Sequence, residues 1–551
     1  MKKKFLKSGL AVITLVMFFF MTSSLYGKTF FSKKSSVVRE QCGACHKSDK
    51  GGHIEVIEET RKTPEEWKVV VDRMIRLNDA PVSDASFYPV VKELSRSLCL
   101  SPDEMAKVSY INSDENSQYR EAPAGKTEQR IYTACVRCHT FGKIASHKMT
   151  KSQWAEIRNL HLGYYSTTIP QMREMNWAQE SEELVKPLSE MFPFDSSGWK
   201  NWLKKREEQD LSGKWKGVGF QPGAGYYVKL YSFKPNKEKG EDEYYVDVTV
   251  VYENGTLLKM SGKATLFSEY HLRYALAPTH FTGRIEGVFD LNAAEKGFAG
   301  KWWTVVQDSN AYGDERFYRI PKKTTKILGH YPGALKADSR MDQEITLVGV
   351  NLPKKITTRD INFSDSNIKI KSVKRVCDSR ILCRVSLTSS IATGKRTIKV
   401  KMKETSYNAK LTVFKRIDGI EIFPAIGRAR VSCGAAYPPH GVQFVARGIN
   451  FGPDKKANTK DDLILEPVDA KWWLEEEETR ENDDDLKYLK APITNGLYTP
   501  VTTYGPIEER FQRREGVGLI AVHASCFDDG RKLSAKARLA VTDPDFITHI
   551  K

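Results

Sequence analysis

The chain has 551 residues, too many for one hydrophobic core, so three or four domains are expected. Its formal charge is +17, from 86 basic and 69 acidic side chains, and that balance suits an acidic protein partner or an anionic membrane. Nucleic acid is disfavoured, because no stripe of clustered basic and aromatic residues runs through the sequence and the chain carries the marks of export.

Those marks come first. Lys2, Lys3, Lys4 and Lys7 form a positive start, Leu10 to Met21 is apolar, and Ser23, Ser24 and Gly27 supply small residues near a cleavage site. The apolar run is shorter than the roughly 20 residues of a membrane span. Residues 1–27 therefore read as a cleaved signal peptide, with an uncleaved anchor as the alternative. Either way the folded part is expected in the periplasm.

Two CxxCH pentapeptides follow, Cys42-Gly43-Ala44-Cys45-His46 and Cys135-Val136-Arg137-Cys138-His139. This is the attachment signature of a c-type haem. Two thiols spaced this way reach one edge of a porphyrin, and the adjacent imidazole points at the iron. A zinc site or redox dithiol competes, but no further CxxC completes a four-cysteine set.

The haem region repeats internally. Thr63-Pro64-Glu65-Glu66-Trp67 is followed seven residues past Trp67 by Met74; Thr150-Lys151-Ser152-Gln153-Trp154 is followed seven past Trp154 by His161. Each threonine reads as a helix N-cap, with Glu66 and Gln153 completing capping boxes. Val70, Met74 and Leu77 share a face of the first helix, and Ile157, Leu160 and His161 recur in the second. Met74 and His161 are therefore the expected sixth iron ligands. His53, Met105, His147, Met149, Met172 and Met175 compete, but none has an equivalent in the other half. Met/His ligation raises potential relative to bis-His, so the two haems would be unequal. With both axial positions filled, electron transfer is favoured over haem catalysis.

From about Leu211 the pattern turns to strands. Tyr244 to Val251 is β-branched and aromatic and runs into Asn254-Gly255, a hairpin signal. Gly213-Lys214-Trp215 and Gly300-Lys301-Trp302-Trp303 bracket the region, which reads as an antiparallel barrel with a filled core, a ligand-holding barrel being the alternative. Ile345 to Leu352 and Phe444 to Phe451 both end in Gly-x-Asn-apolar. Further strand-like runs at Arg396–Val400, Leu411–Val413 and Leu519–Ala524 complete two immunoglobulin-like sandwiches.

Of nine cysteines, Cys377 with Cys383 and Cys433 with Cys526 are plausible disulfides in an oxidising compartment, and Cys99 is left as a buried thiol. Trp472-Trp473 leads into Glu475–Glu478 and Asp483-Asp484-Asp485, read as a solvated loop or, alternatively, a docking loop. There is no P-loop, HExxH or Gly-x-Ser-x-Gly. His271, His280, His330, His440 and His549 lack metal-ligand spacing.

The order of parts resembles the α subunit of quinohemoprotein amine dehydrogenase. The carrying residues are the two CxxCH motifs, Arg61-Lys62-Thr63-Pro64-Glu65-x-Trp67 with Arg73-Met74, and His161-Leu162-Gly163. The resemblance implies a signal peptide (1–27), an α-helical dihaem cytochrome c domain (28–208), a β-barrel (209–324) and two Ig-like domains (325–416 and 417–551). It implies covalent haem c on Cys42, Cys45, Cys135 and Cys138, with iron ligands His46, Met74, His139 and His161. It further implies a β-propeller subunit and a small subunit bearing a tryptophylquinone that oxidises primary amines. An external cytochrome or copper protein would take the electrons. No catalytic residue is expected on this chain. A dihaem peroxidase-like enzyme and a stand-alone dihaem carrier or binding protein are the other readings.

Overall fold

The computed structural model describes residues 29–112, 121, 123–136, 139–236, 243–279, 283–292, 296–305, 311–337, 339, 341–431, 439–479, 483–489, 491–501, 507–508, 513–514 and 516–542. The leader, Cys138, His280, Cys433 and His549 lie outside the described residues, and with Cys433 goes the expected Cys433–Cys526 bridge. The protein is multidomain and β-rich, with a closed eight-stranded barrel and several further sheets. It divides into two compact units, one running to Glu208 and including Phe267–Glu269, the other built from Gln209 onwards.

The first unit is a duplicated set of helices. Each half starts with a helix ending on the first cysteine of a CxxCH motif, Val37–Cys42 and Lys126–Cys135. Each continues into a threonine-capped helix, Pro64–Asn78 and Lys151–Gly163, where Thr63 and Thr150 accept from the N–H groups of Glu66 and Gln153. Each closes with a helix that carries an internal proline, Asp84–Ser97 and Trp177–Met191. A two-residue antiparallel strand pair, Thr60↔Met149 and Arg61↔Lys148, joins the halves. Arg61 and Lys148 each stand two residues before a threonine cap, so an approximate twofold axis passes through their pair. The relation extends further: the N–H groups of Lys62 and Met149 donate to the carbonyls of Leu98 and Phe192, which cap the two closing helices.

The second halves of the capping boxes do not form. The Glu66 carboxylate is drawn instead to His147 and Lys143, and the Gln153 amide donates to Glu59 Oε2 at 3.2 Å. A buried carboxylate is better satisfied by cationic partners than by one backbone N–H. Leu77 does not share the buried face: Val70 packs on the core, but Leu77 is 59 % exposed.

That core holds Val38, Trp67, Val71, Val90, Val91 and Leu94, and the Trp67 indole N–H donates to Leu98 O at 3.1 Å. Arg61, fully buried, ties the halves together. It binds both oxygens of Glu104 at 2.7 and 2.9 Å and donates to the carbonyls of Cys99, Pro193 and Phe194, with Trp199 stacked 4.2 Å from its guanidinium. Cys99 is buried as expected, and burial pushes its thiol up to about 11.

In the second unit, eight antiparallel strands between Gly213 and Arg319 close into the barrel, with Tyr312–Arg319 pairing back onto Gly213–Gln221. The interior is filled by side chains such as Trp215, Tyr231, Phe233, Phe289, Phe298 and Phe317, and the rings of Phe298 and Phe317 stack at 5.2 Å. One ion pair is enclosed with them: Lys229 Nζ lies 2.8 Å from Glu315 Oε2, and Tyr227 and Tyr231 hydroxyls donate to the carboxylate. The strand between theirs carries Gly217 opposite Lys229 and Gly219 opposite Glu315. A Cβ at Gly217 would stand 2.1 Å from Glu315 Oε1, so glycine there lets the two side chains meet over the strand.

Two further β modules follow, the first with two sheets and the second, from Gly419 on, with four among the described residues. In the first, sheets built around Gln343–Val350 and Thr405–Phe414 enclose Ile345, Leu347, Cys383, Val400 and Val413. In both modules an early strand runs parallel to the last one, Ala334–Lys336 on Thr405–Phe414 and Ile426–Arg430 on Arg531–Thr542. The repeated Gly-x-Asn motif has a structural cause: Asn351 Nδ2 donates to Pro321 O and Thr324 O, and Asn450 Nδ2 to Arg416 O, pinning the segment that enters each module.

The Cys377–Cys383 bridge is absent. Both thiols are free, and Cys383 sits opposite Val373 while Cys377 sits opposite Arg380 at the hairpin end. Three strand residues separate these positions, roughly 10 Å, beyond the reach of a disulfide. The acidic stretch is only partly a loop, with Glu477, Glu478, Asp483 and Asp484 outside regular structure and its two ends in it. Lys471–Glu476 is the outer strand of a four-stranded sheet and Asp485–Leu489 a short helix. Trp473 stacks on His523 at 5.2 Å, and Glu477 is buried against Lys536 and Arg538.

Candidate functional site

Both CxxCH motifs begin on the final residue of a helix. At the first, the N–H groups of Cys45 and His46 bond back to Cys42 O at 3.3 and 3.0 Å, so the pentapeptide continues the helix as a tight turn. Cys42 is half-buried, and burial, with Glu93 and Cys45 adding to it, pushes its thiol up to about 11. At the second, burial pushes the Cys135 thiol up to about 12, with Glu180 adding to it.

The second motif meets its expected ligand. The imidazoles of His139 and His161 face one another with ring centres 6.4 Å apart and planes inclined by 58°. Two imidazoles bound through nitrogen to one metal, at about 2 Å each, place their ring centres roughly 6 Å apart. Each ring is also held in one orientation. Nδ1 of His139 lies 3.2 Å from Thr140 O, and Nδ1 of His161 lies 2.7 Å from Ile157 O. With Nδ1–H donating to a carbonyl, Nε2 is left as the free lone pair that a metal requires. Burial lowers the proton affinity of His139, which favours the neutral ligating form. Trp177 and Tyr165 stand against the His161 ring, at 6.0 and 5.7 Å.

At the first motif the connection runs through the core. Cys42 packs on the same apolar cluster as Val70 and Ile75, which flank Met74 on its helix. His46 and Met74 are both half-exposed, and the Met74 sulfur takes a contact from Asn78 Nδ2 at 3.8 Å. The competing residues other than Met175 are otherwise engaged. Met105, Met149 and Met172 are buried, His53 Nε2 lies 3.3 Å from Glu58 O, and His147 faces Glu66.

Large apolar side chains stand in the open at matching places in the repeat. Leu77 and Tyr164 each lie fourteen residues past a threonine cap, and Tyr164 is 65 % exposed; Tyr88, Tyr165 and Ile169 are exposed as well. Open apolar groups at equivalent positions of the two halves, with Tyr165 against the His161 ring, suit a flat apolar group such as a porphyrin. Sequence reasoning missed this feature, although the repeat itself pairs Leu77 with Tyr164. Among the described residues no cluster of three or more His, Cys, Asp or Glu is set to hold a bare metal ion, and no helix is long and apolar enough to cross a membrane.

Comparison with known proteins identifies a haem-binding region in the first unit. Residues 32–199 match the quinohemoprotein amine dehydrogenase A, alpha subunit, haem binding family; residues 208–314 match its alpha subunit domain II, and residues 420–549 its alpha subunit domain IV. No curated protein matches the chain. Solved structures resemble it only weakly. A redesigned beta barrel bound to DFHBI is 15 % identical over 20 % of this chain and 94 % of its own, with a TM-score of 0.18. Drosophila N-cadherin EC1-4 is 8 % identical over 62 % of this chain and 69 % of its own, with a TM-score of 0.19.

Proposed function

Since the chain belongs to the quinohemoprotein amine dehydrogenase α-subunit family, as a member of an oxidoreductase complex, we propose that it is the electron-relay and scaffold subunit of a periplasmic enzyme. Electrons enter from a tryptophylquinone on a small partner subunit, a β-propeller subunit completes the assembly, and an external cytochrome or copper protein accepts them. Residues 1–27 are the leader, 28–208 the α-helical dihaem domain, 209–324 the barrel, and 325–416 and 417–551 Ig-like domains.

In this reading Cys42 and Cys45 hold one haem c through thioether bonds, and Cys135 and Cys138 the other. His46 and Met74 ligate the first iron, His139 and His161 the second. A haem c bound there supplies a one-electron couple. Thr140 O and Ile157 O keep two imidazoles in the ligating tautomer. Trp177 and Tyr165 wall the His161 side. With His46, Met74, His139 and His161 all given to the two irons, little room would be left there for water or peroxide, which argues against a peroxidase. The barrel, with its interior packed by aromatic rings, serves as scaffold.

The observation that carries the reading is the opposed pair His139 and His161, each pinned at Nδ1. The test is to produce the chain in a periplasm with c-type haem maturation and determine its mass and haem stoichiometry under denaturing conditions. Two covalent haems per chain are expected. A chain that leaves maturation with none, or with haem lost on denaturation, contradicts the reading.

A further inference from the structure

Beside the second site lies a group of buried charges that the relay does not otherwise use. Glu66 sits in the first turn of the Pro64–Asn78 helix, the one carrying Met74. Its carboxylate reaches across the repeat to His147 Nε2 and Lys143 Nζ, 3.3 Å from each. The side chains of Glu66 and His147 are 14 % exposed and that of Lys143 is 23 % exposed, and Lys62 is buried with them. Lys143 and His147 follow His139 closely: Thr140 caps the Phe141–Ala145 helix, and the His147 N–H returns to Ile144 O at 3.1 Å. The charges facing His147 are Glu66, Lys62 and Lys143, and Arg73 acts on Lys62 from the Met74 helix.

One carboxylate here faces two lysines and an imidazole, so the group is short of negative charge. Placing a further proton on it is costly while the neighbouring metal is oxidised. An electron arriving next to His139 supplies the missing charge. We propose that the Glu66–His147 pair, together with Lys62 and Lys143, takes up one proton from solvent when the second site gains an electron and releases it when the electron leaves. One electron and one proton enter together, so the buried charge is unchanged across the cycle. Lys143, the most exposed member, opens the group to water.

The electrostatics agree. Burial, then Lys62, hold the His147 imidazole down to about 4, and burial holds the Lys62 ammonium down to about 8, with Glu66 opposing that shift. At neutral pH the His147 imidazole is therefore uncharged, while Lys62 keeps most of its proton. The group's charges also reach the ligand, because Lys143 and Glu66 both act on His139. Glu66, His147 and Lys62 act on one another, so the proton is assigned to the cluster rather than to one atom.

The inference rests on haem being bound between His139 and His161, and the experiment separates the two claims. The midpoint potential of each haem is measured from pH 5 to 9 in the mature chain, in His147→Gln and in Glu66→Gln. Proton uptake on reduction of the unaltered chain is read in parallel with a pH-indicator dye. The expected result is a second-site potential that falls as pH rises, approaching one proton per electron, with matching dye uptake. Both variants should flatten that slope at this haem while its low-spin spectrum stays unchanged. A pH-independent potential, or a slope that survives in both variants, overturns the proposal while leaving the relay standing. A chain without haem overturns the relay and this proposal together.

Discussion

Arg61 and Lys148 pair across the two halves of the haem-binding region, and their pairing marks the axis of an internal duplication. Everything that distinguishes the two sites is a departure from that symmetry, above all Met74 in one half where His161 stands in the other. A duplicated unit with unequal ligands can give electrons a direction, since Met/His ligation raises a haem's potential above its bis-His neighbour.

Replacing His161 by alanine removes the ring facing His139. One of the two haems is expected to turn from low-spin to high-spin and to bind cyanide rapidly, with the other unchanged. An absorption spectrum that stays wholly low-spin would reject His161 as a ligand.

Met74→Ala is expected to abolish the sulfur-to-iron absorption band in the red and to lower the potential of one haem only. Survival of that band would move the thioether ligand elsewhere, to Met175 among the half-buried methionines.

Arg61→Met tests the joint between the halves. Glu104 would lose both of its guanidinium bonds and the carbonyls of Pro193 and Phe194 a donor. Removing one partner of a buried pair costs about 3–5 kcal/mol. Calorimetry should show the transition of the first unit moved down by several degrees, with that of the second unit in place.

Inside the barrel the pair Lys229–Glu315 allows a sharper comparison. Lys229→Met leaves Glu315 buried without its cation and is expected to destabilise the second unit by about 3–5 kcal/mol. The double variant Lys229→Met/Glu315→Gln should recover most of that loss. Equal destabilisation of the single and double variants would mean that shape, rather than charge, sets the cost.

His330 sets a pH dependence in the second unit. Burial holds its imidazole down to about 4, against the ordinary 6.5. The folded state then binds fewer protons than the unfolded one between these values, so stability falls as pH drops through 6.5 towards 4, by up to about 3 kcal/mol. Denaturant unfolding at pH 7 and pH 4.5 should show this fall, and His330→Gln should lessen it.

Much of this architecture is written locally. The threonine caps and the Asn254-Gly255 turn act over a few residues, and both read correctly. What did not read depends on partners far away in sequence. Glu66 looks like the end of a capping box until His147 and Lys143, some eighty residues on, claim its carboxylate. Glu475 to Glu478 look like a solvated loop until the Arg531–Thr542 strand brings Lys536 and Arg538 to Glu477. Cys377 and Cys383 are close in sequence, yet the hairpin register holds them apart. For the site, the Nδ1 bonds that pin His139 and His161 are made to carbonyls one and four residues away, but no residue type announces them.

The central claim, two covalent haems of unequal ligation in one relay, is tested most directly by stepwise potentiometric titration of the mature chain under its absorption spectrum. Two one-electron steps of different midpoint are expected, the higher accompanied by the sulfur-to-iron band and the lower without it. A single step shared by both haems, or a five-coordinate haem at either site in the unaltered chain, would contradict it.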